Sequence, residues 1–306
     1  MSVYENSSII EKIKTLKKER NAVILTHNYQ LAEVQQIADF VGDSLELSIK
    51  ASKTQADVIL FCGVKFMAET AYILSPEKTV LLPSLTSGCP MADMADYNSL
   101  SDLKEKYPDA VVVTYVNSSA EVKALSDICV TSSNALNIVR NIPEDKKIIF
   151  VPDQNLGAYI QKQTDRDMIL WEGYCPVHMR ITTEAIARKK EEFPEALVIV
   201  HPESQLDVIK LADSALSTGG MLKFAKDSSA EKIIVATEIG MIYRLQKENP
   251  DIQFIPASEQ AVCPDMKMHR LEHVLDALKN NRNIITVPEP VREKAFIPIK
   301  RMIDAQ

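Results

Sequence analysis

Short runs of β-branched and aliphatic residues alternate along this chain with longer segments of helical, 3.6-residue periodicity, and the alternation recurs at a nearly fixed interval. Three runs open the recurring unit: AVILTHNY (22–29), VVVTYVNSS (111–119) and LVIVHPES (197–204). Their anchors, His27, Tyr115 and His201, stand 88 and 86 residues apart. Two of the preceding charged segments close on nearly the same words, KEKYPDA and KEEFPEA, where proline stops a helix before a strand begins. Downstream, IADFVGDSLEL, LSDICVTSSNA and LADSALSTGGM align on Asp39, Asp127 and Asp213 and place Ser44, Ser132 and Thr218 each 17 residues after the anchor. A third β-branched run with a helical segment follows, and a fourth short run leads to Cys89, Cys175 or Cys263, each followed by proline, 62, 60 and 62 residues past the anchor.

Each unit therefore reads strand–helix–strand–helix–strand–helix–strand, which predicts a parallel sheet covered by helices on both faces. The expected fold class is α/β: three αβα domains related by a pseudo-threefold axis, each with a four-stranded parallel sheet, around a central active site. The spans are 1–97, 98–183 and 184–280, with 281–306 returning to the first unit as one more strand and helix. In such sheets ligands bind beyond the carboxyl ends of the strands. The anchors, hydroxyls and cysteines all fall there.

Composition narrows the class. An apolar content of 46% supports packed cores, and a net charge of −7 without a long basic run gives no nucleic-acid footprint. No apolar stretch approaches the ~20 residues that span a bilayer, and the N-terminal segment has no signal-like apolar core, so a cytoplasmic location is expected. Five cysteines in such a chain do not form a disulfide framework. With eight glycines and no GxGxxG after any strand, a nicotinamide-dependent reductase is disfavoured.

The candidate chemistry follows the repeat. Three cysteines from three sheets suit zinc or an iron–sulfur cluster, the alternative being buried thiols of the core. The absence of CxxC pairs argues against structural zinc, and a cluster held by three cysteines leaves one iron open as a Lewis acid. Cys62 and Cys129, without a following proline or repeat counterparts, read as buried strand residues, Cys62 at the site end of its strand. Tyr29 and Glu203 each stand two residues after an anchor histidine and face the same side, one a base and the other an acid. Ser44, Ser132 and Thr218 suit helix capping, anion binding, or both, and Ser217 to Gly220 (STGG) adds to the anion cradle. His269 and His273 have metal-like spacing but no third partner and read as solvated surface.

Taken in order, HNYQ (27–30), GDS (42–44), CPMAD (89–93), YVNS (115–118), TSSNA (131–135), CPVH (175–178), HPES (201–204), STGG (217–220) and TEIGM (237–241) make the chain resemble the quinolinate synthases of the A type, over nearly its whole length. The resemblance implies an enzyme of NAD biosynthesis that condenses iminoaspartate with dihydroxyacetone phosphate to quinolinate, releasing phosphate and water. It also implies one [4Fe-4S] cluster per chain on Cys89, Cys175 and Cys263. His27, Ser44, Tyr115, Asn117, Ser132, His201, Glu203, Ser217 and Thr218 are the implied substrate contacts, with Tyr29 and Glu203 as acid–base groups assisted by His27 and His201. An L-aspartate oxidase or dehydrogenase supplying iminoaspartate is the implied transient partner, with neither nucleic acid nor membrane involved. Some family members carry a CxxC around the third ligand; here PDMKMH follows Cys263, with no second cysteine. A hydro-lyase of the aconitase type and a cluster-based sensor are the competing readings.

Overall fold

The computed structural model describes residues 3–305; residues 1, 2 and 306, at the ends of the outermost expected spans, lie outside it. Twelve strands form three sheets of identical topology. The first contains β1 (Ala22–His27), β2 (Phe40–Gly42), β3 (Val58–Cys62) and β4 (Thr79–Leu81) in the order β2-β1-β3-β4. The second contains β5 (Val111–Tyr115), β6 (Ile128–Val130), β7 (Ile148–Val151) and β8 (Met168–Leu170), ordered β6-β5-β7-β8. The third, β10-β9-β11-β12, is built from β9 (Leu197–Val200), β10 (Ser214–Ala215), β11 (Lys232–Ala236) and β12 (Gln253–Pro256). Every strand pair within them is parallel, as the unbroken β-branched runs require of strands buried on both faces.

The aligned aspartates turn out to be one structural device used three times. Asp39 Oδ2 accepts the Ile24 amide at 2.8 Å, while Asp127 and Asp213 accept the Val112 and Val198 amides, each at 2.7 Å. In each case the aspartate's own amide donates back to the same residue's carbonyl, at 2.9–3.0 Å. The reciprocal pair extends the bonding between the first and second strands of a unit past their short ladder and satisfies backbone groups at the sheet's edge.

The helices that follow the three cysteines cover the next sheet along the chain. Tyr97–Lys106 and Thr183–Glu192 precede β5 and β9. The third, Leu271–Asn280, closes the cycle by burying Leu271, Val274, Ala277 and Leu278 with Ile24 and Leu60 of the first sheet and Ile13 of the helix Val3–Glu19. That helix, within the span assigned to the third unit, thus packs on the first. After it, Leu82 donates to the Asn283 carbonyl and Ile285 to Val80, so the expected extra strand is one antiparallel bridge beside β4. The last helix, Glu289–Asp304, places Ala295, Ile299 and Met302 in a core shared by the first two sheets. Among the described residues no helix is long and apolar enough to cross a membrane.

Candidate active site

The carboxyl ends of all three sheets line one cavity, which contains Cys89, Cys175 and Cys263 together with His27, Tyr29, Ser44, Tyr115, Asn117, Ser132, His201, Glu203 and Thr218. Each cysteine is placed by the same backbone bond. The residue that opens the loop or helix after the third strand donates to the carbonyl two residues before the cysteine: Lys65 to Ser87 at 2.9 Å, Gln154 to Gly173 at 2.8 Å and Ile239 to Ala261 at 3.0 Å. A single 3₁₀ turn follows each Cys-Pro pair, Ala92–Met94, His178–Arg180 and Asp265–Lys267. It aims the amide three residues on (Ala92, His178 or Met266) back at the sulfur. The third turn is further clamped by buried Glu238, which accepts the Cys263 amide at 3.1 Å and pairs with Lys267 at 2.9 Å. Lys267 also donates to the Tyr29 carbonyl.

The proton-capable groups form a connected set. Tyr115 Oη donates to Glu203 Oε1 at 2.5 Å, and Glu203 Oε2 lies 2.9 Å from His178 Nδ1. His178 Nε2 is 2.9 Å from Thr237 Oγ1, which is in turn 2.6 Å from Tyr29 Oη. The His178 and His201 rings stack at 4.9 Å. Burial opposes charge on Glu203, but the facing His178 and His201 and the bonds from His178 and Tyr115 outweigh it and hold the carboxyl below its usual range. Burial, then the Glu203 charge, pushes the Tyr29 and Tyr115 hydroxyls well above the ordinary phenol value, so both keep their protons.

Burial lowers His27 to about 3 and His201 to about 4. Their Nδ1 atoms accept the Tyr29 and Glu203 amides at 3.2 and 3.4 Å, which fixes the neutral tautomer with its proton on Nε2. These imidazoles are hydrogen-bond donors into the cavity, and His201 Nε2 meets Ser132 Oγ at 3.2 Å.

Beside Ser44 and Thr218 the capping role falls to their neighbours. Asp43, one residue before Ser44, caps Ser44–Lys53 in a reciprocal capping box with Glu46. Ser217, one residue before Thr218, caps Thr218–Asp227 by accepting the Gly220 amide at 3.1 Å. Ser132 precedes its helix, Ala135–Arg140, by three residues. Ser44 and Thr218 are left uncommitted to capping. Ser217 is the one candidate outside the cavity lining: besides its cap it meets Ser133 Oγ at 3.0 Å, and Ser133 donates to Asp43 at 2.8 Å, tying the three units together. Asn117 Oδ1 is buried without a partner among the described residues, an acceptor left for a ligand.

Comparison with known proteins decides the family. A match to the family described as "Quinolinate synthetase A protein" spans residues 11–304. The chain belongs to that family. A Dehalococcoides mccartyi protein named quinolinate synthase is 56% identical over 295 residues, covering 96% of this chain and 97% of its own. One from Pelobacter propionicus is 55% identical, covering 97% and 98%, and one from Thermodesulfovibrio yellowstonii 54% identical, covering 96% and 97%.

The family implies a cluster on the three cysteines, and the donor set fits one. The sulfurs share one cavity, none is in a disulfide, and each faces a backbone amide, the usual setting of a cluster thiolate. Burial, opposed by those amides, pushes Cys89 up to about 12, Cys263 to about 11 and Cys175 well above the ordinary thiol value. Three thiolates here therefore need a cationic group among them. A second grouping, Cys175, His178 and Glu203, has donor atoms within 4.8 Å of one another and could hold a single ion. Its His178 and Glu203 already partner each other, Tyr115 and Thr237.

Cys62, the last residue of β3, and Cys129, in the middle of β6, are fully buried and do not line the cavity. One reading needs correction: His269 is not solvated. It precedes the helix Leu271–Asn280, is 0% exposed, and bonds Ser87 Oγ at 3.0 Å; only His273 is exposed. His178 was not singled out from the sequence. The repeat search rewards equivalence, and the positions equivalent to His178, three residues after each cysteine, hold Ala92 and Met266.

Proposed function

We propose that this chain condenses iminoaspartate with dihydroxyacetone phosphate to quinolinate, releasing phosphate and two waters, as a step of NAD biosynthesis. The observation that carries this reading is a single cavity joining three cysteines, an ionised buried carboxylate, two protonated tyrosines and three hydroxyls, in a chain of this family. Cys89, Cys175 and Cys263 would hold a [4Fe-4S] cluster, which when bound supplies a Lewis acid through the iron lacking a protein ligand.

The chain's own residues divide the remaining work. Both substrates are anionic, and Ser44, Ser132 and Thr218 offer hydroxyls for their carboxylate and phosphate oxygens. Glu203, anionic and fixed by Tyr115 and His178, is the base that removes a carbon-bound proton. Tyr29 is the acid that protonates a departing oxygen, its hydroxyl held in place 2.6 Å from Thr237 Oγ1. The neutral His27 and His201 donate from Nε2 and stabilise negative charge developing on substrate oxygens. Asn117 Oδ1 accepts a substrate N–H or O–H. The surrounding Val64, Phe66, Met67, Met91 and Met266 keep water from a hydrolysable imine. An L-aspartate oxidase or dehydrogenase is the proposed source of that imine.

The test is anaerobic purification with iron and sulfide analysis, then an assay for quinolinate from the two substrates. About four irons per chain and quinolinate formation are expected. Bound zinc would favour the single-ion grouping at Cys175, His178 and Glu203, and a full cluster without product would favour a sensor or a hydro-lyase.

A further inference from the structure

Asn28, in the HNYQ segment, is assigned no role by the chemistry above, yet it is 0% exposed and bridges the first and third units behind the cavity-lining Thr218. Its amide is held from both sides. Arg244 Nη1 lies 2.7 Å from one end and Thr218 Oγ1 2.9 Å from the other. A guanidinium has donors only, so the end facing Arg244 must be the carbonyl, Oδ1, whichever way the amide is drawn. Nδ2 then faces Thr218 and donates, and the Thr218 oxygen must accept. Its own proton is thereby excluded from this bond. Among the described residues no acceptor lies in hydrogen-bond geometry for that proton, and Thr218, 3% exposed, lines the cavity.

We propose that Arg244 acts as a positioning residue: through Asn28 it sets the polarity of Thr218, so that this hydroxyl presents a proton, not a lone pair, to an anionic substrate oxygen. The inference rests on the proposed quinolinate-forming activity and adds to it the reason why one hydroxyl of the cradle selects an anion. Arg244 is itself fixed by Glu248 at 2.7 Å, and Asn28 by a backbone bond to Gly42 and by Gln35, which donates to its carbonyl at 3.0 Å. The relay is thus rigid at both ends. A carboxylate at position 28 would reverse it: paired with Arg244, it would accept from Thr218 and withdraw the proton from the cavity.

The experiment measures quinolinate binding to the cluster-loaded protein by calorimetry, in the wild type, Asn28→Asp, Arg244→Met, Thr218→Val and the two double variants with Thr218→Val. Loss of one charge-assisted hydrogen bond is expected to weaken binding on the order of tenfold to a hundredfold in Asn28→Asp and in Thr218→Val. Arg244→Met, which frees the amide to turn, should weaken it less. In the Thr218→Val background neither second change should cost more than about twofold, because the group they act through is already gone. Should Asn28→Asp not fold, the Arg244→Met pair makes the same comparison from a side chain nearer the surface. Full additivity would overturn the relay, since charge or fold alone would then explain the loss. Wild-type binding with unaffected single variants would overturn the relay alone, whereas a cluster-loaded wild type that does not bind quinolinate would overturn the activity on which it rests.

Discussion

Asp39, Asp127 and Asp213 on one side, and His27, Tyr115 and His201 on the other, occupy equally repeated positions, yet the first set is invariant across the three units and the second is not. The aspartates solve a problem that every unit has alone, satisfying the backbone between its first two strands, and one residue solves it each time. The anchors meet at one cavity. There the units diverge: two neutral imidazoles present Nε2 protons, and one tyrosine is committed to Glu203. Repetition marks what the fold requires of each unit, and broken repetition marks what the shared site requires of only one.

The cysteines lie between these cases, because they are repeated and yet belong to the common site. Cys175→Ala should abolish cluster loading, read as iron content and visible absorbance, while Cys129→Ala, in the interior of β6, keeps it. Equal loss in both would undo the ligand assignment. Next in size is Glu203→Gln, at a position that the other units fill with Tyr29 and Asn117. It should lower turnover by about 10²–10⁴-fold with iron content unchanged, as expected for loss of a general base. A variant that loses iron in proportion to activity would instead mark Glu203 as a metal ligand, in line with its closeness to Cys175 and His178. On the structural side, Asp213→Ala strands the Val198 amide, and a cost of about 1–3 kcal/mol is expected, measured by denaturant unfolding, with the Km for dihydroxyacetone phosphate unchanged. A changed Km at full stability would show that the aspartate serves the site and not the sheet.

Much of this was readable before any coordinates. The period placed all three sheets, their parallel strands and eleven cavity-lining residues, with Asn117 implied by the family resemblance, because strand ends and cysteines kept register through local chemistry: β-branched runs, prolines and aspartates. What escaped were groups whose role depends on a neighbour from another unit. His178 acquires its place from Glu203 and Thr237 of the third unit, and Lys267 from the Tyr29 carbonyl of the first. Ser217 carried the hydroxyl signal of its neighbours but is used as a cap, since only one of two adjacent residues at a helix start can turn toward the cavity. Within-unit spacing carries no information about such pairings.

His269 shows that the repeat held more than was taken from it. It stands six residues after Cys263, and the positions six after Cys89 and Cys175 are Ala95 and Ile181, both buried. A histidine at an apolar place should be buried neutral, and burial, then the nearby His273, lowers it to about 4. The sign follows from linkage. Above pH 6.5 the imidazole is neutral in folded and unfolded chains alike and there is no penalty. As pH falls from 6.5 toward 4 the unfolded chain takes up the proton first, so stability conferred by the neutral group is progressively lost. His269→Gln, keeping a side-chain amide near Ser87, should therefore be less stable than wild type at pH 7.5. At pH 5 the gap should narrow or reverse by about 1–2 kcal/mol, read by chemical denaturation. A gap that is constant from pH 7.5 to 5 in His269→Gln would mean that this histidine reaches water, and that its place in the repeat is not the buried one its two counterparts occupy.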